Sequence, residues 1–216
     1  MARLDVLTLT NGAFAENCYI LVDRDVRDAV IVDPGEEADL FLRRLATERV
    51  ALKAIWLTHS HADHILGVAR VRDATGVPIY LHPDDRPLYD ALPHQSAWLG
   101  LDPAVPPAPD HRLAHGMRLD VGGLTFEVRH VPGHSPGHVA FVGHGVAVVG
   151  DAVFAGSIGR TDLPGGDTET LLTSIREQLL SLPDETMVYP GHGPETTIGR
   201  ERLTNPFLTG AVRLMG

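Results

Sequence analysis

Four apolar, strand-like runs of this chain each end in a turn that carries a side chain of the kind that holds a metal ion. Ligands in α/β proteins collect outside the carboxyl ends of the strands, so the pattern predicts that the four turns meet at one edge of the fold. A single such turn is ordinary, but four in one chain predict a metal site. The runs and turn residues are Ala54–Leu57 with His59 to His64, Phe126–Val131 with His134, Val146–Val149 with Asp151, and Met187–Tyr189 with His192.

The first turn is the densest, because Thr58-His59-Ser60-His61-Ala62-Asp63-His64 contains three imidazoles and a carboxylate. Neutral imidazole and carboxylate suit zinc, iron and manganese alike. His59 and His61 lie two residues apart, so in an extended chain their side chains point the same way. Asp63 and His64 can turn toward a second position nearby. The lack of cysteine in the cluster argues against a structural zinc knuckle, which is rich in thiolates.

The order H-x-H-x-D-H, then His, then Asp, then His resembles the metallo-β-lactamase superfamily. Other motifs resemble its short glyoxalase II-like hydrolases, and the resemblance runs from about residue 4 to about residue 209. These motifs are Asn17-Cys18-Tyr19, Asp33-Pro34-Gly35, Gly159 to Asp167 and Gly191 to Thr197.

The resemblance implies an α/β fold, a four-layered αββα sandwich, which we expect to occupy residues 1–216 as a single domain. It also implies two divalent metal ions, zinc or iron, with manganese as a third choice. The implied ligands are His59, His61 and His134 for one ion, Asp63, His64 and His192 for the other, and Asp151 as the bridge between them.

Two such ions can clamp attacking and leaving oxygens, generate hydroxide near neutral pH and stabilise an oxyanion. Cys18 lies far from the ligand motifs in sequence and no other residue stands out as an obvious nucleophile, so we predict that hydroxide is the nucleophile. We therefore expect a metal-dependent hydrolase of acyl bonds, with Asp63 and Asp151 in its catalytic machinery. Arg160 is a further catalytic candidate that can approach the substrate. The alternative for Arg160 is an ion pair with Asp162 or Asp167.

Similarity to glyoxalase II implies a small-molecule acyl-thioester substrate of the S-lactoylglutathione (hydroxyacylglutathione) type. The longer glyoxalase II enzymes hold glutathione with basic residues of a C-terminal helical region. Here only 24 residues follow His192 (216 − 192), and Lys53 is the only lysine. A basic glutathione clamp must therefore use arginines or be absent.

The main alternative is the iron-dependent persulfide dioxygenase branch of the same superfamily. That branch resembles the chain at Thr58 to His64 and at Gly159 to Asp162, and it holds one iron with two histidines and an aspartate. Here those ligands would be His61 or His59, His134 and Asp151. Leu163 to Asp167 and Gly193-Pro194 favour the hydrolase.

Two further classes are less favoured than these. A β-lactamase is expected to carry a secretory signal before the domain, and the start of the chain lacks the apolar stretch of one. The first ligand loop is also followed by Ile-Leu-Gly. A metal-binding module without activity is the other class, and it would retain metal without turning over an ester, thioester or persulfide.

Charge and composition limit the partners. The formal net charge of −10 makes binding to phosphate backbones unfavourable, so we expect no nucleic-acid partner. No apolar run approaches the length of a membrane span, so we expect no membrane partner. Cys18 is the sole cysteine, which rules out an intramolecular disulfide and is compatible with the cytoplasm. The sequence makes no prediction of oligomeric state.

Hydrophobic periodicity and turn residues predict the secondary structure. Residues 91–112 hold five prolines and are expected to form a long surface connection, or else a disordered linker. His138 is expected either to support the metal site through a hydrogen bond or simply to begin a strand. Strands are predicted at 4–9, 18–22, 29–32, 52–57, 79–81, 117–119, 124–131, 139–142, 146–149 and 187–189, and helices at 37–49, 65–74, 168–180 and 196–203.

Overall fold

Two six-stranded sheets face each other, and each is built from its own continuous part of the chain. The protein is described by a computed structural model that covers residues 2–98, 100–101 and 104–212. The strands of the two sheets are β1 Leu4–Asn11, β2 Glu16–Asp23, β3 Asp28–Val32, β4 Ala51–Trp56, β5 Ile79–Leu81, β6 His111–Arg112, β7 Arg118–Val121, β8 Leu124–His130, β9 Val139–Gly143, β10 Val146–Gly150, β13 Met187–Pro190 and β14 Thr196–Thr197, and a separate hairpin is formed by β11 Val153–Phe154 and β12 Ser157–Ile158. The first sheet has the strand order β1-β2-β3-β4-β5-β6, and the second has the order β14-β13-β10-β9-β8-β7.

Helices cover the outer face of each sheet. None of the helices formed by the described residues is both long and apolar enough to cross a bilayer. The helices are α1 Ala38–Glu48, α2 Ala62–Ile65, α3 Val68–Thr75, α4 Arg86–Asp90, α5 Leu92–Trp98, α6 Thr168–Ser174 and α7 Ile198–Thr204.

Three apolar clusters separate four layers. Alternate residues of a strand point to opposite faces, so Ile20 and Ile31 pack outward against Phe41 of α1, while Tyr19 and Leu21 pack inward. The inward cluster fills the space between the sheets, where Trp56 of the first sheet meets Phe126 and Phe141 of the second at ring-centroid distances of 5.8 and 5.1 Å. The third cluster lies between the second sheet and α6 and α7. These layers confirm the predicted αββα sandwich.

The predicted elements recur within two residues of their expected ends, apart from three places. The helix predicted at 65–74 begins earlier, at Ala62, and breaks between α2 and α3. The helix predicted at 168–180 ends as α6 at Ser174 and continues as one π-helical turn, Ile175–Leu179.

The third difference is the predicted surface connection at 91–112, which was wrong over the residues that form α5 and β6. Pro93 lies in the first turn of α5, where a missing N–H removes no helical hydrogen bond. Leu92 is fully buried and anchors this helix. The Tyr89 hydroxyl donates to the Pro107 carbonyl (2.9 Å) and ties the later part of the connection to α4. Residues 99, 102 and 103 lie outside the described residues.

Candidate metal centre

The seven predicted ligands lie together at the carboxyl ends of β4, β8, β10 and β13. β8 and β10 are each antiparallel to β9, so they run the same way, and β13 is parallel to β10. Their carboxyl ends therefore share one edge of the second sheet, and β4 delivers the first ligand loop from the facing sheet. The strand-and-turn pattern predicted this convergence.

His59, His61 and His134 form the first group, with one donor atom from each within 4.8 Å of the others. His61 Nδ1 lies 2.8 Å and His59 Nε2 lies 3.3 Å from His134 Nε2. His59 is fully buried, and His61 and His134 are nearly so.

Asp63, His64 and His192 form the second group, again with donor atoms within 4.8 Å. Asp63 Oδ2 lies 3.2 Å from His192 Nε2 and 3.8 Å from His64 Nε2. His64 is fully buried, whereas 26% of the His192 side chain is exposed. The second group is therefore the one that solvent reaches more easily.

Asp151 lies between the two groups. Its Oδ2 is 3.5 Å from His134 Nε2 and 3.6 Å from His192 Nε2, and its Oδ1 is 3.4 Å from His64 Nε2. One carboxylate thus faces imidazoles of both groups, which is the arrangement that a bridging ligand requires.

Hydrogen bonds from behind fix which imidazole nitrogen faces the centre. His134 Nδ1 donates to the Arg160 carbonyl (2.8 Å), and His192 Nδ1 donates to the Phe14 carbonyl (3.1 Å). His64 Nδ1 donates to Asp33 Oδ2 (3.1 Å). In each ring, the proton on Nδ1 leaves the Nε2 lone pair free to point inward.

Thr58 fixes in the same way which nitrogen of His59 faces the centre. The Thr58 hydroxyl donates to Asp33 Oδ2, so its oxygen accepts from His59 Nδ1 at 3.0 Å. The Thr58 amide also donates to Asp33 Oδ1 at 2.7 Å. A single Asp33 carboxylate therefore sets the orientation of imidazoles in both groups.

Two polar atoms of the centre support a bound cation, since they are buried without a hydrogen-bond partner in the part of the chain that the structure describes. Buried polar atoms are normally paired, so atoms left unpaired in one cluster point to a missing ligand. Facing lone pairs, such as those of His61 Nδ1 and His134 Nε2, also repel unless a cation or a proton lies between them. The unpaired atoms are His64 Nε2 and Asp151 Oδ1.

The two groups differ in their affinity for protons. Burial and the neighbouring imidazoles lower the pKa of His59 far below its usual range, and they lower the pKa of His61 to about 3. Burial opposes protonation of His64 as well, but the charges of Asp151 and Asp63 outweigh it and raise the pKa well above the usual range. Burial is likewise outweighed at His192, where the hydrogen bond to Asp63 helps to raise the pKa.

We expect acid to release the two metal ions in two steps. A raised pKa means that protons compete for His64 and His192 at a higher pH than for His59 and His61, whose lowered pKa values keep them neutral as the pH falls. In protein loaded with two equivalents of Zn²⁺, one equivalent should therefore leave first, from the second group. Stepwise acidification with metal analysis at each pH measures this release. ¹¹³Cd NMR of the protein loaded with Cd²⁺ instead of Zn²⁺ assigns the site that empties first. Release of both equivalents in one step would contradict the expectation.

Arg160 contributes its backbone carbonyl to the centre, and its guanidinium pairs with Asp162 at 2.7 and 2.9 Å. The alternative of an ion pair is therefore the one present in the structure. The Arg160 side chain is 60% exposed, and its contact with a substrate stays a prediction.

His138 lies just before β9 and is fully buried, with Nε2 accepting from the Asp151 amide at 3.1 Å. The expected supporting hydrogen bond is present.

Two residues that hold the ligand loops were not predicted as part of the site. Asp85 accepts three hydrogen bonds from the two loops that carry the first group. Gln95 accepts from the Ala62 amide and donates to the Ser60 carbonyl. Neither has a sequence signal of its own, because Asp85 stands among other acidic residues and Gln95 lies in the predicted surface connection.

His82, Asp84 and His130 also bring three donor atoms within 4.8 Å, away from the centre. The two rings stack face to face, 4.3 Å apart and 10° from parallel. An imidazole binds a metal ion in its own plane, so stacked rings do not aim their lone pairs at one point. The His82 Nδ1 lone pair already accepts from the Asp84 amide, at 3.3 Å.

Known proteins share this arrangement of elements. One relative, 41% identical over 210 residues that cover 95% of this chain and 98% of its own, is "Hydroxyacylglutathione hydrolase GloC" of Haemophilus influenzae. A crystal structure of the BLEG-1 B3 metallo-beta-lactamase is 43% identical with a TM-score of 0.89 and covers 95% of this chain and all of its own. A structure of TTHA1623 in a di-iron-bound form is 45% identical with a TM-score of 0.86 and covers 94% of this chain and all of its own.

The family model of the metallo-beta-lactamase superfamily matches residues 11–192, a span that contains every predicted ligand. The order of ligands along the sequence, the αββα layers and the match over most of the chain agree. The chain belongs to the metallo-beta-lactamase superfamily.

Proposed function

We propose that the chain is a metal-dependent hydrolase that cleaves acyl thioesters of the hydroxyacylglutathione type. The observation that carries the proposal is the convergence of seven donor residues into two groups of three around one carboxylate. Two-metal centres of this kind serve hydrolysis, since they position both the attacking and the leaving atoms. A relative 41% identical over nearly its whole length bears the name of such a hydrolase, which supports the choice of substrate class.

In the proposed enzyme His59, His61 and His134 would hold one divalent ion, Asp63, His64 and His192 would hold the other, and Asp151 would serve both. The ions, when bound, supply a hydroxide nucleophile at neutral pH and stabilise the oxyanion that develops on the thioester carbonyl. We propose zinc or iron, or manganese, because imidazole and carboxylate accept all three. The similar di-iron-bound structure supports iron as one choice.

The chain's own residues orient this centre and shield its inner side from solvent. Asp33, Thr58 and the carbonyls of Phe14 and Arg160 hold the imidazoles in the tautomer whose inner nitrogen is unprotonated. The ligands His59 and His64 and the supporting residue His138 are fully buried, so solvent does not compete for their hydrogen bonds on the inner side of the centre.

The exposed side of the second group is where we place the substrate. The Phe14 ring is 48% exposed, although its carbonyl binds His192, and the Phe154 ring lies 6.1 Å from the His192 ring. These rings give the acyl group or the thiol stem an apolar surface beside His192. Arg160 is the proposed contact for a carboxylate of the thiol carrier, once it leaves Asp162.

The test is a set of parallel assays on the purified protein after reconstitution with Zn²⁺, Fe²⁺ or Mn²⁺. We expect hydrolysis of S-lactoylglutathione that stops on chelation and returns when metal is restored. No hydrolysis at high concentration of enzyme that holds two metal equivalents would overturn the proposal.

Two further substrates separate the alternatives within the superfamily. Oxygen consumption with glutathione persulfide would identify a persulfide dioxygenase instead. Hydrolysis of a β-lactam without thioester hydrolysis would identify the activity named for BLEG-1.

A further inference from the structure

Asp85 is a fully buried carboxylate outside the seven predicted ligands. It ends a single 3₁₀ turn, Pro83–Asp85, that follows β5 of the first sheet. The nearest ligand loops come from β4, which is next to β5, and from β8, which belongs to the opposite sheet. Asp85 therefore stands between the two halves of the sandwich.

Its two oxygens hold both of these loops. Oδ2 accepts from the Ser60 amide at 2.8 Å and from the Ser135 hydroxyl at 2.9 Å, and Oδ1 accepts from the Gly137 amide at 2.6 Å. Ser60 separates His59 from His61, and Ser135 directly follows His134. One side chain thus connects residues that adjoin all three imidazoles of the first group.

The hydrogen bonds of Asp85 require an ionised carboxylate and a close approach between Asp85 and the loop after β8. Burial raises the pKa of Asp85 to about 6, which still leaves it ionised at neutral pH, so both oxygens can accept. Gly137 allows the approach, since a Cβ there would lie 2.5 Å from the Asp85 amide nitrogen and 3.0 Å from Oδ1. The loop after β8 is therefore shaped to receive this group.

Gln95 of α5 acts on the first loop alone. Its Nε2 donates to the Ser60 carbonyl at 3.0 Å, and its Oε1 accepts from the Ala62 amide at 3.1 Å. Gln95 fixes the path of the loop through His61, and among the described residues its other hydrogen bond goes to the Leu88 carbonyl. Asp85, by contrast, bonds to both loops.

We propose that Asp85 is a positioning residue that sets the separation of the two loops and thereby the metal affinity of the His59–His61–His134 group. The inference rests on the proposed function only in that these imidazoles bind a metal ion. It does not depend on which substrate is cleaved. Groups that orient metal ligands from behind are worth about 10- to 100-fold in metal affinity or activity.

The test is Asp85→Asn in the full chain. The amide has the same shape, but its NH₂ replaces one acceptor and faces either the Ser60 or the Gly137 amide, so one loop loses its anchor. In a Zn²⁺ titration against a competing chelator, we expect one equivalent to bind about 10- to 100-fold more weakly and the other to change by less than about twofold. The spectrum of the Co²⁺-loaded variant should change for one site only.

Asp90→Asn is the matched control, since Asp90 is 55% exposed, pairs with Arg86 and lies on the same part of the chain. It should bind both equivalents as the wild type does. Wild-type affinity for both equivalents in folded Asp85→Asn would overturn the inference. An equal loss at both sites would also overturn it, because that marks a general structural role.

If Asp85→Asn does not fold, the same Zn²⁺ titration of Ser135→Ala tests the inference. This substitution removes one of the three donors and should weaken the same equivalent by a smaller factor, and an unchanged affinity would overturn the inference. Metal titration needs no substrate, so an absence of thioester hydrolysis in the wild type would reject the proposed function and leave this test intact. If the wild type does hydrolyse the thioester, Asp85→Asn should lower kcat more than it changes KM.

Discussion

Asp151→Ala is expected to lower kcat/KM for the thioester by about 10³-fold or more. The two oxygens of its carboxylate face imidazoles of both metal groups, at 3.4 to 3.6 Å. A metal clamp supplies several kcal/mol of transition-state stabilisation, and each 1.36 kcal/mol is about tenfold in rate. Removing the proposed bridge would uncouple the two ions and would also leave His64 and His134 without the carboxylate that they face.

Metal content and kinetics together measure this effect. We expect fewer than two equivalents of bound metal in Asp151→Ala, and a partial recovery in Asp151→Asn, which keeps one oxygen. Asp120→Ala is the control, because Asp120 is exposed on β7 and accepts from Thr125. A variant with two bound equivalents and nearly wild-type turnover would show that Asp151 does not bridge.

Gly191→Ala is expected to disable the centre without changing any ligand. An added Cβ would overlap Asp151 Oδ1 and would lie 2.7 Å from His64 Cε1. The backbone has little freedom to retreat, since the Gly191 amide donates to Gly150 and its carbonyl accepts from Asn17, both at 2.8 Å. The overlap must therefore displace Asp151 and His64. A misplacement of about 1 Å costs on the order of 10²-fold in rate.

Gly123→Ala separates this effect from a general cost of adding a methyl group. A Cβ at Gly123 comes no closer than 3.3 Å to another atom, so that variant should keep its metal and its turnover. For Gly191→Ala we expect both a lower kcat and weaker binding of the second equivalent of metal. Full activity in a folded Gly191→Ala protein would mean that the loop after β13 has more room than the structure gives it.

The fold was predictable where buried residues form a recognisable apolar pattern in the sequence. Ile20, Ile31 and Ile55 stand in short apolar runs bounded by turns, and these runs became the central strands. α5 was missed because the five prolines of residues 91–112 favoured a surface connection, although Pro93 lies in the first turn of the helix. The π-helical turn after Ser174 leaves the apolar spacing of the helix nearly unchanged, so periodicity does not reveal it.

The candidate site was predictable where ligands share a motif, as with His59 and His61. It was not predictable where a single side chain or carbonyl acts at long range. Asp33 reaches Thr58, and Phe14 reaches His192, across distances in sequence that only the folded chain closes. Such partners carry no spacing of their own, so their roles follow from the packing of the two sheets.

The division of the sheets along the chain has a consequence for the newborn protein. All strands of the first sheet lie between residues 4 and 112, so it can complete its hydrogen bonds while the second is still unmade. Its inner face, with Tyr19 and Trp56, stays exposed to solvent until the ribosome has released residues up to 197. Synthesis of the second sheet takes roughly ten seconds at about 5–20 residues per second. Since His192 follows the last long strand, the second group of ligands is complete only after that strand has emerged. Chaperones that shield apolar surface would therefore act before this second group can form.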